Sequence, residues 1–161
     1  MGMYTGLRIK VYVKEEYRSM IQAINEYEDW RTFVNQFPFL YDYAYLGRAE
    51  FIPRGALAYM PSSWEDEHEN ATDGFQRNID MGNGYWTFQC SINNAGEIEV
   101  FFDEVLPHII SHSDHIEYLY EEWDRSDFYE FKDGKIQLIP TNPSKYKNDD
   151  DERWKWYGSS N

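Results

Sequence analysis

The chain has 161 residues, with 29 Asp and Glu against 15 Lys and Arg, a formal net charge of −14, and Phe, Trp and Tyr make up 19% of it. A disordered acidic chain lacks aromatics because it has nothing to bury, so this charge belongs on the surface of a folded body. Such a surface repels nucleic acid and anionic membranes and attracts basic partners.

A chain of this length fits one domain. The single cysteine, Cys90, excludes an internal disulfide framework. No apolar run approaches the ~20 residues of a membrane span, and Met1–Lys10 has no apolar block of a signal peptide. The expectation is a cytoplasmic protein with one domain over 1–139 and an acidic, aromatic tail over 140–161.

Leu7, Ile9, Val11 and Val13 alternate with polar residues, the period of a strand with one apolar face. Over Lys14–Glu28 the period changes. Tyr17, Met20, Ile21, Ile24 and Tyr27 form one stripe of an amphipathic helix. Trp30, Phe33, Val34 and Phe37 give a further helical turn or two before Pro38. Phe39–Tyr45 is aromatic and reads as strand. Phe51–Met60, broken by Pro53 and Gly55, reads as extended and irregular.

Residues 61–84 read as a long loop carrying the acidic run Glu65, Asp66, Glu67 and Glu69. Trp86, Phe88, Cys90 and Ile92 then alternate as a second clear strand, and Cys90 falls on its apolar side. Glu97–Leu106 is a second amphipathic helix, after which Pro107 kinks the chain or opens a new helix. Ile116, Tyr118 and Tyr120 mark a strand. Residues 128–139 read as a hairpin on the Asp133–Gly134 turn. The fold class expected is α+β: an antiparallel sheet with two main amphipathic helices packed on one face.

The opening Met1-Gly2-Met3-Tyr4-Thr5 before a strand resembles a group of small hypothetical proteins of bacterial phages and prophages. The resemblance returns at Trp86–Ile92 and at Asn93, Gly96-Glu97-Ile98-Glu99, Phe102, Leu106-Pro107 and Ile109. It appears again, loosely, over Tyr118–Tyr129. Phe39–Gly84 and the chain after Pro140 do not share the pattern. What the resemblance implies is a mobile-element origin. It carries over no catalytic residues.

His108, His112 and His115 lie in one short segment. On a continuous helix His108 and His112 share a face, and His115 reaches it from the helix end, a spacing that suits a transition metal. Cys90, on an apolar face, reads as an inert small hydrophobe. The acidic stretches have a plain reading as a solubilising surface. They also have a functional reading in which carboxylates on a rigid scaffold imitate phosphates and occupy the groove of a nucleic-acid-binding protein. Glu65, Asp66, Glu67, Glu69, Glu117, Glu121, Glu122 and Asp124 are the candidate contact residues.

The expected function is therefore a non-enzymatic, cofactor-free binding protein. Its expected partner is a basic host protein such as a nuclease, whose inhibition is the further expectation. The alternatives are a small metal enzyme built on the histidines and an accessory phage component.

Overall fold

Leu7, Ile9, Val11 and Val13 are all fully buried on one face of β1 (Tyr4–Val13). This strand is the spine of the molecule. The structure, a computed structural model, describes residues 3–61, 64, 74–94 and 96–140. β1 pairs antiparallel on one side with β3 (Tyr85–Asn93) and on the other with β4 (Ile110–Tyr120). β2 (Asn78–Ile79) extends the sheet beyond β3, and β5 (Asp127–Lys132) and β6 (Lys135–Leu138) extend it beyond β4. The result is a six-stranded antiparallel sheet in the order β2-β3-β1-β4-β5-β6. The α+β architecture read from the sequence is the one found.

The helices pack on the face that carries Leu7, Ile9, Trp86, Phe88, Cys90 and Ile116. α1 (Arg18–Glu26) contributes Met20, Ile21 and Ile24. The second helical unit runs from α4 (Glu97–Val100) through a π-helical turn, Phe101–Val105, into α5 (Leu106–Ile109). Pro107 sits in the first turn of α5, directly after the π-helical turn. Trp30 lies edge-on to Tyr43 at 5.7 Å and to Phe101 at 5.9 Å, in the middle of this layer.

Phe39–Tyr45 departs from the sequence reading. It forms a 3-10 turn, Pro38–Leu40, followed by α2 (Tyr41–Ala44). Pro38 presets the helical φ of the turn, and the buried residues Leu40, Tyr43 and Ala44 follow a helical spacing of three and four. Aromatic β-propensity reflects fit to a half-buried sheet surface, and here the aromatics line a helix instead.

The opposite face of the sheet is covered by the chain that follows α3 (Phe51–Arg54), a turn in which Ile52 is extended. Ser91 Oγ accepts from the Ala58 N–H at 2.6 Å and has the Ala56 and Ala58 carbonyls at 3.0 and 3.1 Å as acceptors for its one proton. This staple seats Met60 and Trp64 against Leu119, with Tyr4, Leu57 and Trp123 around them.

The turn into β3 depends on Gly84, whose φ is +82° and where a Cβ would lie 2.2 Å from the Val13 carbonyl oxygen. Arg18 Nε donates to that same oxygen at 3.0 Å, so the oxygen cannot swing away freely. Gly84→Ala is expected to cost about 2–5 kcal/mol, from left-handed strain plus overpacking. Gly134→Ala, at φ +76° with open space around it, is expected to cost only the strain, about 1–2 kcal/mol. Urea unfolding of the two variants checks the difference, and equal losses would remove the clash from the account.

Candidate partner-binding surface

The structure does not bring the three histidines together. The helix ends at Ile109 and β4 begins at Ile110, so the helical face assumed for His108 and His112 does not exist. His108 stacks on Phe39 at 4.5 Å on the helical side. His112 and His115 lie on β4, opposite Tyr12 and Lys10, and a register shift at Asp114 puts them on the same outer face despite their odd spacing. Each has its own carboxylate. His112 Nε2 donates to Asp114 Oδ1 at 3.0 Å, and His115 Nε2 to Glu117 Oε1 at 2.7 Å. Among the described residues no group of three His, Cys, Asp or Glu is placed to hold a metal ion.

The acidic candidates divide. Glu65, Asp66, Glu67 and Glu69 lie outside the described residues. Glu117 is buried rather than displayed to a partner. Its two oxygens accept from His115 and, at 2.5 Å, from Ser126 Oγ. Burial pushes its carboxyl pKa up, but hydrogen bonds from His115 and Ser126 and the charges of His115 and Arg8 outweigh burial and hold it below the usual range. The order serine, carboxylate, histidine is wrong for a nucleophilic triad, which needs the imidazole between the other two. Glu117 therefore braces β4 against the turn that follows it.

Glu121 is half-buried and accepts from the Tyr4 backbone N–H. Glu122 and Asp124 are exposed. Around them Trp123 lies 5.9 Å from both Tyr118 and Tyr120, and the Tyr4 ring is 5.0 Å from that of Tyr59. Tyr59 is 72% exposed with φ at 62°, a left-handed conformation that costs a non-glycine residue about 1–3 kcal/mol. This end of the sheet thus combines carboxylates with aromatic rings.

Two features were missed in the sequence. The first is a surface on the helical layer. Tyr41 and Tyr45 are 60% and 57% exposed, with ring centroids 5.0 Å apart, and exposed Asp42 lies between them in sequence. Exposed Glu50 and Phe51 follow. The signal was an aromatic run at helical spacing next to acids, and it was obscured by reading that run as strand. The second is a polar cluster at the edge of the core. Tyr118 Oη donates to Glu99 Oε2 at 3.1 Å, and Asn94 Nδ2 donates to Glu99 as well. Tyr129 is pushed up to about 12, first by burial and then by the charges of Asp127 and Glu99. Burial also raises Asp127. Cys90 is fully buried and burial pushes its thiol up to about 12, so at neutral pH it is not a thiolate nucleophile.

No described helix is long and apolar enough to cross a membrane. No family model, curated protein or solved structure matches the chain.

Proposed function

We propose that this chain is a non-enzymatic, acidic binding protein of mobile-element origin. It engages a basic nucleic-acid-handling host protein and inhibits it by laying carboxylates where phosphates would bind. The observation that carries the reading is the use made of the arginines. Arg18 donates to the carbonyls of Val13 and Gly82, Arg54 to Glu28 and Arg77 to Asn25. Arg8 lies 4.7 Å from the Trp64 ring and 4.3 Å from that of Phe75, and donates to Gln89 Oε1. Arg31 is bound by Asp29.

These arginines are engaged within the fold, while Lys132 and Lys135 remain exposed on either side of the Asp133–Gly134 turn. Glu15, Glu26, Asp42, Asp103, Glu104 and Asp133 face solvent from helices and turns. Exposed carboxylates in excess steer a basic partner and orient it.

The test is capture from nuclease-treated bacterial lysate on the immobilised protein, eluted with a salt gradient. A basic nucleic-acid-handling protein released at moderate salt is expected, because exposed charges are screened beyond about 8 Å at physiological ionic strength. Its activity on nucleic acid should fall when this chain is added. An empty eluate, or a partner whose retention ignores salt, would count against the reading.

A further inference from the structure

We infer that the basic partner docks an arginine side chain on the Tyr41–Tyr45 ring pair, with Asp42 and Glu50 as its counter-charges and Phe51 extending the contact. This rests on the reading of the chain as a binding protein for a basic partner, and it names the surface and the chemistry.

The case begins with how firmly the surface is built. Leu40, Tyr43, Ala44, Ala49 and Ile52 are buried between the exposed residues. Tyr43 Oη donates to the Ala49 carbonyl at 2.7 Å, and Trp30 Nε1 to the Ile52 carbonyl at 2.7 Å. The Arg48 N–H donates to the buried Glu97 carboxylate at 3.3 Å. The backbone that carries Tyr41, Tyr45 and Phe51 is thus pinned from within. These rings face solvent at positions where the neighbouring residues fill the core, so their exposure does not come from a loose segment. Rigid, exposed tyrosines bind at low cost in side-chain entropy and are enriched at binding hot spots.

Charge selects the occupant. Asp42 and Tyr45 stand three residues apart across α2 and its C-cap, the spacing of helical neighbours, and both are exposed. One nearby cation, Arg31, feels both Tyr45 and Glu50, but Asp29 binds it through the Arg31 N–H at 2.9 Å and through Nη2 at 2.8 Å; Arg48 lies within the same segment. A planar guanidinium stacks on an aromatic face and pairs with a carboxylate at once, which a lysine ammonium does less well. Phosphate groups and a second copy of this acidic chain are repelled by the same carboxylates.

The test uses a synthetic oligoarginine peptide as probe and an oligolysine peptide of equal charge as comparison, with the full chain isotopically labelled for NMR. The expected result is amide shifts concentrated over residues 41–51 and tighter binding of the arginine peptide. Tyr41→Ser/Tyr45→Ser is expected to weaken it about tenfold or more, with an unchanged thermal melt. Glu16→Gln, at an exposed acid outside residues 41–51, should change it little. Binding of oligoarginine with shifts elsewhere, or binding indifferent to the tyrosine variant, overturns this inference and leaves the basic-partner reading standing. No binding of either peptide at low salt overturns both.

Discussion

Trp30→Ala is expected to destabilise the protein by about 3–5 kcal/mol, the usual cost of emptying a fully buried aromatic site. In a domain of this length that corresponds to a fall in Tm of about 6–20 °C. Trp30 is 1% exposed, and its ring is the common neighbour of Tyr43 and Phe101. It also reaches past the core, since its indole N–H holds the Ile52 carbonyl. The variant should therefore lose more than volume: the turn that presents Glu50 and Phe51 loses its anchor. Trp30→Phe separates the two effects. It keeps most of the packing and removes the donor, which leaves a buried carbonyl without its partner at a cost of about 1–3 kcal/mol. Calorimetry gives the stabilities, and hydrogen exchange over residues 49–54 reads the anchor. If exchange there rises in Trp30→Ala no more than elsewhere in the chain, the indole does not hold that turn.

The strands that could be read from sequence were those with one apolar and one polar face. Leu7–Val13 and Trp86–Ile92 alternate because helices cover one side of the sheet, while the other side carries polar side chains such as Arg8, Thr87 and Ser91, part of it beneath Met60 and Trp64. The β5–β6 hairpin was equally legible, since Asp133 and Gly134 have φ of 55° and 76°, the paired positive values of a two-residue turn. The first half of β4 was not. Ser111, His112 and Asp114 are exposed, and two register shifts break the period. That segment is strand because the Lys10–Val13 end of β1 requires a pairing partner on that side, a tertiary demand with no local signature.

Charge was legible as a total, but its assignment was not. In the sequence Glu117 and Glu121 look alike, two acids spaced along one aromatic strand. The structure buries the first beneath His115 and Ser126 and uses the second to bind the Tyr4 amide. Only Glu122 and Asp124 of that stretch keep the exposed position expected of a contact residue. The histidines failed for the related reason that a helical spacing carries meaning only on a helix. Once β4 begins at Ile110, the same spacing places His112 and His115 beside different carboxylates.

Glu117 gives the sharpest division between a structural acid and a partner-facing one. Glu117→Ala is expected to cost about 3–5 kcal/mol at pH 7, because it breaks a buried charged network and leaves its donors behind. Glu117→Gln, which keeps the shape, should lose the charge-assisted part, about 1.5–3 kcal/mol. The pH dependence has a definite sign. The folded carboxyl is held below its unfolded value, so its contribution is fully present above about pH 4.3, the ordinary range for a glutamate. That contribution is lost as pH falls through the depressed folded value. The stability gap between the wild-type chain and Glu117→Gln should therefore begin to close as pH falls through about 4.3 and be gone below the depressed folded value. Urea unfolding at a series of pH values reads the gap directly. A gap that stays open at low pH would mean the carboxylate is not what His115 and Ser126 stabilise. A variant of undiminished stability that nevertheless lost its basic partner would return Glu117 to the binding surface and overturn its role as a brace.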